Sequence, residues 1–571
     1  MKYSELCDVY EDLEKNPSRL KKTEILANFL KKLKTQTDPE TIYLLQGKVF
    51  PDFSEKEFGI SEKLVIKALS KASGIPDTEI IQKWKKLGDL GEVAEEVMTN
   101  KKQGTLFFQE LTVKKVLENL QKLPELEGKG AVDRKMAVIS ELLTSAQSKE
   151  AKYITRTLLG DLRVGVAAGT LRDSITQACF KPEELEDTED KKQITEAVQD
   201  AYDKATDWKL VFEQACKGIK ELEKTELTPG KPVKVMLYPK EPTIEEGFKR
   251  VGKPALLDFK YDGFRMMINK DETGEIKIFT RRLDNVTKQF PEVKKYIEEY
   301  VKAKTFIIDG EAVGFDPKTK VYQPFQNISQ RIRRKYDIER LAKELPIELN
   351  IFDIIYYNGK SLLKEPLKKR IEIINKIIPV HKFKIKPAEA IITESEIEAE
   401  EFYQKALDAG EEGIMMKNLK SPYKPGARVG HGIKIKPEEN DFDLIIVEAE
   451  YGTGKRAGWL TSFTVACKNN DELLEIGKVS TGLKEKEEEG LSFKELTKIL
   501  KPFIISESGR SVKVKPKIVV AITYQNIQKS PTYSSGFAMR FPRITRIRPD
   551  KSTEDIASLS EVKRDFEKLS R

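Results

Sequence analysis

The sequence is poor in the residues on which much metal and nucleophile chemistry depends, with two histidines and four cysteines among 571 residues. The cysteines are widely spaced and include no Cys-x-x-Cys pair, so we expect no structural zinc site. Because imidazoles are so few, histidine-dependent triads and histidine-rich metal hydrolases are poor candidates. Catalysis is therefore expected to rest on lysine, arginine, aspartate and glutamate.

Two further absences narrow the class of protein. No apolar run reaches about 18 residues, and Met1–Lys15 is charged and lacks the apolar core of a signal peptide, so we expect no membrane contact and a cytoplasmic location. A Gly-x-x-x-x-Gly-Lys-Ser/Thr loop is also missing, because the Gly-Lys-Ser run at 359–361 lacks the upstream glycine. A P-loop ATPase is thereby excluded.

The residues that are present are typical of a folded multidomain protein. Hydrophobic residues make up 39% and charged residues 34%, and 571 residues are too many for one core of ordinary size, so two to four domains are expected. The net charge of +8 results from 101 Lys and Arg against 93 Asp and Glu. This balance favours nucleic acid as a partner without establishing it.

The hydrophobic pattern changes twice along the chain. Up to about Glu226 apolar residues recur at three-to-four spacing, which predicts an all-helical domain. After the break at Leu227–Pro232, strand-like runs separated by turns predict an antiparallel α+β domain; these runs are Ala255–Asn269, Glu275–Thr280, Thr305–Phe315 and Glu348–Tyr356. After a second break at Lys436–Asn440, mostly strand-like sequence predicts a small β-barrel with a C-terminal helix. The predicted domains are 1–228, 229–436 and 437–571.

The segment Asp258–Arg265 (DFKYDGFR) carries the strongest chemical signal. It places Lys260 at the end of an apolar strand, followed by Asp262, Gly263 and Arg265. A deprotonated lysine amine in a desolvated pocket can act as a nucleophile. The alternative is an ordinary surface hairpin, because lysine followed by Asp-Gly is common in turns.

Basic residues follow other predicted strands. Arg281 and Arg282 stand where a strand stops, a suitable place for guanidinium groups to bind phosphate. Lys434 and Lys436 alternate onto one face of a strand, which suits contact with a triphosphate. The alternatives are a solvated arginine pair and an edge strand kept soluble by lysines.

Carboxylates and one aromatic residue complete the set. Glu311 and Glu412 each stand beside a glycine near a strand end, where a carboxylate can hold Mg²⁺ or a ribose hydroxyl. Phe352, in a strand, could stack on a nucleobase. Taken singly, the carboxylates could equally form turns and the aromatic ring could belong to the core.

Taken in order, these segments resemble the motif series of the covalent nucleotidyltransferases, which include ATP-dependent DNA ligases, RNA ligases and mRNA-capping enzymes. Within this superfamily the chain is similar to archaeal-type replicative DNA ligases along almost its full length. The similarity includes the helical-domain segment Leu159–Gly165, which looks like the family's DNA-binding segment, and the segments Ile527–Tyr533 and Met539–Arg546 near the C-terminus, followed by Asp550 and Lys551. The resemblance implies a helical DNA-binding domain, an adenylation domain and an OB-fold domain.

The resemblance also implies a reaction and a role for each residue. ATP would adenylate Lys260, and AMP would then pass to the 5′-phosphate of a nick that is sealed in replication, recombination or repair. Asp258 would face the adenine, Phe352 would stack on it, and Glu311 would approach the ribose. Basic residues would serve the phosphates: Arg265, Arg281, Arg428, Lys434, Lys436 and, in the C-terminal motif that orients pyrophosphate, Arg540 with Arg543 and Lys551. Glu412, together with Glu311, would bind Mg²⁺ or Mn²⁺.

Three positions depart from the family's usual pattern. Asp258 and Asp284 are one methylene shorter than the usual glutamates, and Gly432 occupies a place that often carries tryptophan. A shortened carboxylate can admit a water beside the base or loosen discrimination among nucleotides. Nucleotide preference is therefore the property that these changes put in doubt.

The resemblance implies nicked double-stranded DNA as the partner of a monomeric enzyme, bound through phosphate contacts that are independent of base sequence. Within 101–108, four residues resemble a shortened peptide that binds a sliding clamp of the PCNA type: Gln103, Leu106, Phe107 and Phe108. The paired phenylalanines could instead hold this loop against its own domain.

Three rival functions remain at this point. An RNA ligase or a capping enzyme is disfavoured by the large helical domain with its Leu159–Gly165 segment. A DNA-binding scaffold that has lost its chemistry is disfavoured by the intact Lys260, Glu311, Glu412 and Lys434. NAD⁺ as the adenylate donor is disfavoured because neither a nicotinamide-recognition domain nor a four-cysteine zinc site is found.

Overall fold

The computed structural model describes residues 1–35, 38–100, 110–323, 325–332, 334, 336–437, 440–453, 456, 458–470, 472–485 and 491–568. Within these ranges, no helix combines the length and the apolar character that crossing a membrane requires. The chain divides into two compact units. The first comprises Met1–Pro239, Arg250–Glu394 and Met416–Ile433, and the second comprises Lys240–Lys249, Ser395–Met415 and Lys434–Arg571.

The N-terminal part of the first unit is entirely helical, as predicted. Its helices are α1 (Tyr3–Lys15), α2 (Arg19–Leu33), α3 (Thr41–Leu44), α4 (Glu62–Ser73), α5 (Asp77–Leu87), α6 (Leu90–Thr99), α7 (Val113–Lys122), α8 (Ala131–Ser145), α9 (Ser148–Leu158), α10 (Ala168–Cys179), α11 (Thr188–Ala205), α12 (Trp208–Ala215) and α13 (Ile219–Glu223). Side chains cap several N-termini, including Ser61 before α4 and Asp187 before α11. The glycines at the ends of α4 and α5 adopt the left-handed conformation that stops a helix.

The helical domain contains one buried cation held by two acids. Arg156 on α9 is 2% exposed, and its guanidinium donates to Asp89 at 2.6 Å and to Glu14 at 3.0 Å. Gly91 lies so close that an added Cβ would stand 2.6 Å from Cγ of Arg156. Since a buried charge is tolerated only when paired, this network orders the packing of α1, α6 and α9.

The remaining helices of the chain lie among its strands. They are α14 (Ile244–Val251), α15 (Pro291–Tyr300), α16 (Phe325–Ile332), α17 (Ile338–Glu344), α18 (Leu367–Ile377), α19 (Glu396–Asp408), α20 (Phe493–Leu500) and α21 (Leu559–Lys568). In the first unit, α15 and α18 bury Val293, Ile297, Ile374 and Ile377 against the sheet core. The last helix of the described chain is α21.

Strands of the α+β region are β1 (Ala255–Phe259), β2 (Phe264–Lys270), β3 (Ile276–Thr280), β4 (Phe306–Phe315), β5 (Tyr322–Gln323), β6 (Ile347–Tyr357), β7 (Lys360–Ser361), β8 (Ile385–Pro387), β9 (Ala390–Thr393), β10 (Ile414–Asn418) and β11 (Gly432–Ile435). A mostly antiparallel sheet has the order β3-β2-β4-β6-β7, with β5 beside β4 and β8 parallel to β6. The separate strand β1 pairs antiparallel with β9. The single run expected over Ala255–Asn269 is therefore two strands, interrupted at residues 260–263.

In the second unit the strands are β12 (Asn440–Tyr451), β13 (Leu460–Asn469), β14 (Glu472–Val479), β15 (Ile504–Ser508), β16 (Ser511–Val514), β17 (Val519–Tyr524), β18 (Asn526–Lys529), β19 (Phe537–Arg540) and β20 (Arg543–Ile547). An antiparallel sheet has the order β14-β13-β12-β16-β15, while β17 joins β12 to β20 and β18 pairs with β19. Its apolar side chains form one core with the helices α20 and α21. The domain boundaries 1–228, 229–436 and 437–571 stay a prediction.

Candidate active site

Lys260 lies at the sharp junction between β1 and β2. It is half-buried, whereas Tyr261 and Asp262 beside it are buried. At Gly263 the turn presses against β4, because an added Cβ would stand 2.2 Å from the carbonyl oxygen of Ala312 and 3.1 Å from Cγ of Glu311. Only glycine permits this approach. The amine is thus carried by a packed turn next to Glu311, unlike the lysine of an exposed hairpin.

Arg265 is held by a buried carboxylate. Its Nε lies 2.8 Å from Oδ1 of Asp309 and its Nη2 lies 2.5 Å from Oδ2, while Nη1 donates to the carbonyl oxygen of Met236 at 2.8 Å. The hydroxyl of Tyr423 also donates to Asp309, at 2.9 Å. Because all three guanidinium nitrogens have protein partners, Arg265 is positioned as part of the wall around the turn.

Asp258 is paired with a lysine that sequence analysis did not single out. Nζ of Lys417 on β10 lies 2.6 Å from Oδ2 of Asp258, and both side chains are almost fully buried. Within the described chain, Oδ1 of Asp258 has no hydrogen-bond partner. Burial raises the pKa of Asp258, and the neighbouring ammonium opposes that rise. One carboxylate oxygen is thus bonded to Lys417, and the other is buried without a hydrogen-bond partner among the described residues.

The ring of Phe352 contacts one cation from each of these two ion pairs. The ring centroid lies 4.9 Å from Nζ of Lys417 and 5.2 Å from Cζ of Arg265, within range of cation–π attraction. The side chain is half-buried on β6, whereas the neighbouring Ile351 and Asp353 are buried. A half-exposed ring fixed between two cations differs from an ordinary core phenylalanine.

The space beside Gly432 is filled by an aromatic ring from another segment. An added Cβ at Gly432 would stand 2.2 Å from Cε1 of Tyr238. Tyr238 precedes β1 in the chain and is half-buried. With the ring of Tyr238 in this position, the tryptophan that often stands here in the resembling family has no room.

Three other predicted residues belong to the first unit. Arg281 is exposed in the turn after β3 and has no carboxylate partner in the part of the chain that the structure describes. Arg428 is exposed as well. The expectation that Glu311 stands near a strand end is wrong: it is half-buried in the middle of β4, opposite Arg265 on β2 and Asn350 on β6, because β4 continues to Phe315.

The second unit brings together four other predicted residues. Gly413 has φ +132°, and an added Cβ would stand 2.3 Å from the carbonyl oxygen of Ile435, so the segment that carries Glu412 lies against the backbone between Lys434 and Lys436. Nη2 of Arg540 on β19 lies 3.6 Å from Oε1 of Glu412. Both side chains are mostly buried, at 8% and 14% exposed. Lys551, by contrast, is paired with Asp443 at 2.7 Å.

The carboxylates do not form a metal cage by themselves. In the described ranges no three His, Cys, Asp or Glu side chains cluster in a way that could hold a metal ion. Mg²⁺ is commonly bound through one or two carboxylates together with substrate phosphates, so the single carboxylates Glu311 and Glu412 fit such a metal without a protein cage. The clamp-like residues 103–108 lie outside the described residues.

Three models of one family match this chain. The DNA ligase N terminus matches residues 2–176, the ATP dependent DNA ligase domain matches residues 235–436, and the ATP dependent DNA ligase C terminal region matches residues 456–551. A DNA ligase of Nanoarchaeum equitans is 44% identical over 99% of this chain and 98% of its own length. The chain belongs to the ATP-dependent DNA ligase family. A DNA ligase of Thermococcus fumicolans is 40% identical to this ligase over 98% of each chain.

A solved structure supports the fold of this ligase. Pmar-Lig_PreS3 covers 95% of the ligase and 99% of its own chain, with a TM-score of 0.56 and 17% identity. The predicted fold class is confirmed: a helical N-terminal domain, a central nucleotidyltransferase domain and a C-terminal β-rich domain. The predicted membership among ATP-dependent DNA ligases is confirmed as well.

Sequence analysis missed the partners that hold the predicted residues of this ligase. Asp309 lies two residues before Glu311 on β4, and strand alternation could have placed both carboxylates on one face. Lys417 lies five residues after Glu412, but its pairing with Asp258 has no signal in the local sequence. Tyr238 stands outside every segment that resembled a family motif.

Proposed function

We propose that the ligase seals nicks through a covalent intermediate on Lys260. The amine of Lys260 attacks the α-phosphate of ATP, pyrophosphate leaves, and AMP is then transferred to the 5′-phosphate at the nick. The 3′-hydroxyl of the neighbouring strand finally attacks that phosphate and releases AMP. The observation that carries this proposal is the packed turn that contains Lys260: its Gly263 lies against Glu311, and Lys260 is two residues from Asp258 of the buried Asp258–Lys417 pair.

Each part of the first unit has its own role in this proposal. Oδ1 of Asp258, which has no hydrogen-bond partner among the described residues, accepts a hydrogen bond from the base, Phe352 stacks on the base, and Glu311 approaches the ribose. Arg281 and the exposed Arg428 contact phosphate oxygens, as do Lys434 and Lys436 of the second unit. Arg265 is a positioning residue, because its guanidinium is already bound by Asp309.

A divalent metal belongs to the proposal as well. Glu311 would hold Mg²⁺ or Mn²⁺ together with the phosphates of the nucleotide, and Glu412 is the other candidate metal ligand. When bound, the metal neutralises charge on the phosphoryl oxygens. Arg540 neutralises Glu412 at a distance of 3.6 Å and would orient the departing pyrophosphate.

DNA is bound by the helical and β-rich domains in this proposal. Lys and Arg contacts to phosphate give affinity that is independent of base sequence, as an enzyme that acts at any nick requires, and this affinity should fall steeply with salt. The ligase would act as a monomer on the nucleoid in the cytoplasm. Residues Gln103, Leu106, Phe107 and Phe108 would tether it to a sliding clamp of the PCNA type.

The covalent intermediate is tested by weighing the intact protein after incubation with Mg²⁺ and ATP, GTP, ADP or NAD⁺. We expect the mass of one AMP to be gained from ATP, on Lys260. Lys260→Ala should lose this adduct completely and still bind nicked DNA. Lys277→Ala removes another half-buried lysine, on β3, and should keep the adduct. Sealing of nicks without any nucleotide on Lys260 would refute the proposal.

The clamp contact needs a separate test. Replacing Phe107 and Phe108 by alanine should eliminate retention on an immobilised clamp while nick sealing by the isolated enzyme stays unchanged. Val132→Ala, which removes an exposed apolar side chain from the helical domain, serves as the control and should keep retention. Equal retention of all three proteins would count against the contact.

A further inference from the structure

Two of the four cysteines lie in contact in the helical domain. Cys179 is the last residue of α10 and Cys216 follows the last residue of α12. Their Sγ atoms are 2.7 Å apart, whereas a bonded pair lies at about 2.05 Å. Both residues are half-buried, so a small reagent can reach them. The other two, Cys7 and Cys467, are buried and have no such neighbour in the described chain.

The surroundings make the two sulfurs unequal. The hydrogen bond from the Cys179 thiol lowers the pKa of Cys216, and the ammonium of Lys34 acts in the same direction. The same contact and burial raise the pKa of Cys179. Cys216 is therefore the better nucleophile of the pair, since the thiolate is the reactive form. By contrast, burial raises the pKa of Cys467 to about 11.

We propose that Cys179 and Cys216 form a redox-active pair that closes into a disulfide when it meets a low-molecular-weight disulfide such as oxidised glutathione. The Cys216 thiolate attacks one sulfur of the oxidant and expels the first glutathione thiolate, which leaves a mixed disulfide. The Cys179 thiol loses its proton to solvent and attacks Sγ of Cys216, and the second glutathione thiolate departs. Two protein thiols are oxidised, and one oxidant molecule is reduced to two thiols.

The bridge would close a loop that contains α11, a helix that contacts the segment after the helical domain. The two cysteines are 37 residues apart in sequence. On α11, Tyr202 stacks on Trp208 with ring centroids 3.7 Å apart, and Asp203 lies 3.9 Å from Nζ of Lys234, beyond the end of the helical domain. A disulfide between α10 and α12 would therefore restrain α11, the helix that makes these contacts.

The test counts thiols in the full-length ligase. The reduced protein is treated under native conditions with oxidised glutathione, denatured, alkylated with N-ethylmaleimide and weighed. We expect two alkylated cysteines instead of four, and a peptide map in which the segments with Cys179 and Cys216 are joined. Four alkylated cysteines, glutathione retained on one cysteine, or a link between two chains would overturn the proposal.

Variants and a thermal measurement make the test specific. Cys7→Ser and Cys467→Ser should each still lose two thiols to the bridge, whereas Cys179→Ser and Cys216→Ser should lose none. The peptide map is made on the protein without substitutions, so its result does not depend on whether a variant folds. In the oxidised protein the Tm of the helical domain's own melting transition should be higher by about 5–10 °C, as expected for a bridge across a loop of this length in a domain of this size. A lower Tm would mean that the bond forms only by distorting the fold, and would overturn the proposal.

Discussion

Nζ of Lys417 lies 2.6 Å from Oδ2 of Asp258, and the two side chains are 4% and 2% exposed. The residues are 159 positions apart in the sequence. An unpaired charge at either buried position would be costly because water cannot solvate it there. Each residue therefore stabilises the charge of the other. Asp258, which resembles the adenine-facing glutamate of DNA ligases, is thus held in position by its ion pair with Lys417.

Removing either member of this pair should destabilise the protein. For Asp258→Ala and for Lys417→Met we expect the free energy of unfolding in urea to fall by about 3 kcal/mol each, because an unpaired buried charge remains. The double variant should lose clearly less than the sum. The exposed pair Lys21 and Glu24, 2.9 Å apart, is the control and should show coupling below about 1 kcal/mol. A double variant that loses as much stability as the two single variants together would contradict the pairing.

Lengthening the carboxylate should sharpen nucleotide choice. In Asp258→Glu the added methylene lets the carboxylate keep Lys417 and reach further toward the base. We expect the ratio of adduct formed from ATP to adduct formed from GTP to rise about fivefold, which corresponds to one hydrogen bond of about 1 kcal/mol. Mass spectrometry of the protein after competition between the two nucleotides measures this ratio. If the ratio is unchanged in a variant that is as stable as the natural protein, Asp258 takes no part in base recognition.

Arg540 should matter for adenylation more than for the final sealing step. Arg540→Ala removes the cation next to Glu412, so we expect formation of the lysine adduct to slow about 100-fold. Sealing of a nick that is already adenylated should change much less. Arg510→Ala, in an exposed hairpin of the β-rich domain, is the control and should leave both rates unchanged. Equal slowing of both steps by Arg540→Ala would argue for a role in DNA binding.

Gly432 should not tolerate a side chain while Tyr238 is present. For Gly432→Ala we expect a loss of about 1–3 kcal/mol in stability, because the new methyl group overlaps the ring of Tyr238. Adding Tyr238→Ala should recover most of this loss. Urea unfolding of the two single variants and the double variant checks the expectation, and a stable Gly432→Ala protein would show that the ring can move aside.

Asp203 should make stability depend on pH. Burial raises the pKa of Asp203 from 3.8 to about 6, although Gln199 and Lys234 oppose the rise. Its contribution to stability is complete below about pH 3.8 and is lost as pH rises through 6, because the folded carboxyl releases a proton that the unfolded one has already lost. Between pH 5 and pH 7 the free energy of unfolding of the natural protein should fall by about 1 kcal/mol more than that of the Asp203→Asn variant. Parallel pH profiles of the two proteins would contradict this.

Much of the architecture follows from local sequence. Three-to-four spacing predicts the helices of the N-terminal domain, and alternating apolar runs predict β3, β4 and β6 within one residue of their observed ends. The ordered motifs around Lys260, Glu311, Phe352 and Glu412 are enough to indicate a DNA ligase. These features depend on residues that are neighbours in the chain, so periodicity and motif order reveal them.

The partners of those motifs are decided by the tertiary structure alone. Asp309 holds Arg265, Lys417 holds Asp258, Tyr238 fills the space at Gly432, and Cys179 meets Cys216. The members of each pair lie on different elements, and their contact arises only when strands and helices bury their apolar faces together. Because burial makes an unpaired charge or an empty space costly, packing determines which distant residue completes each pair.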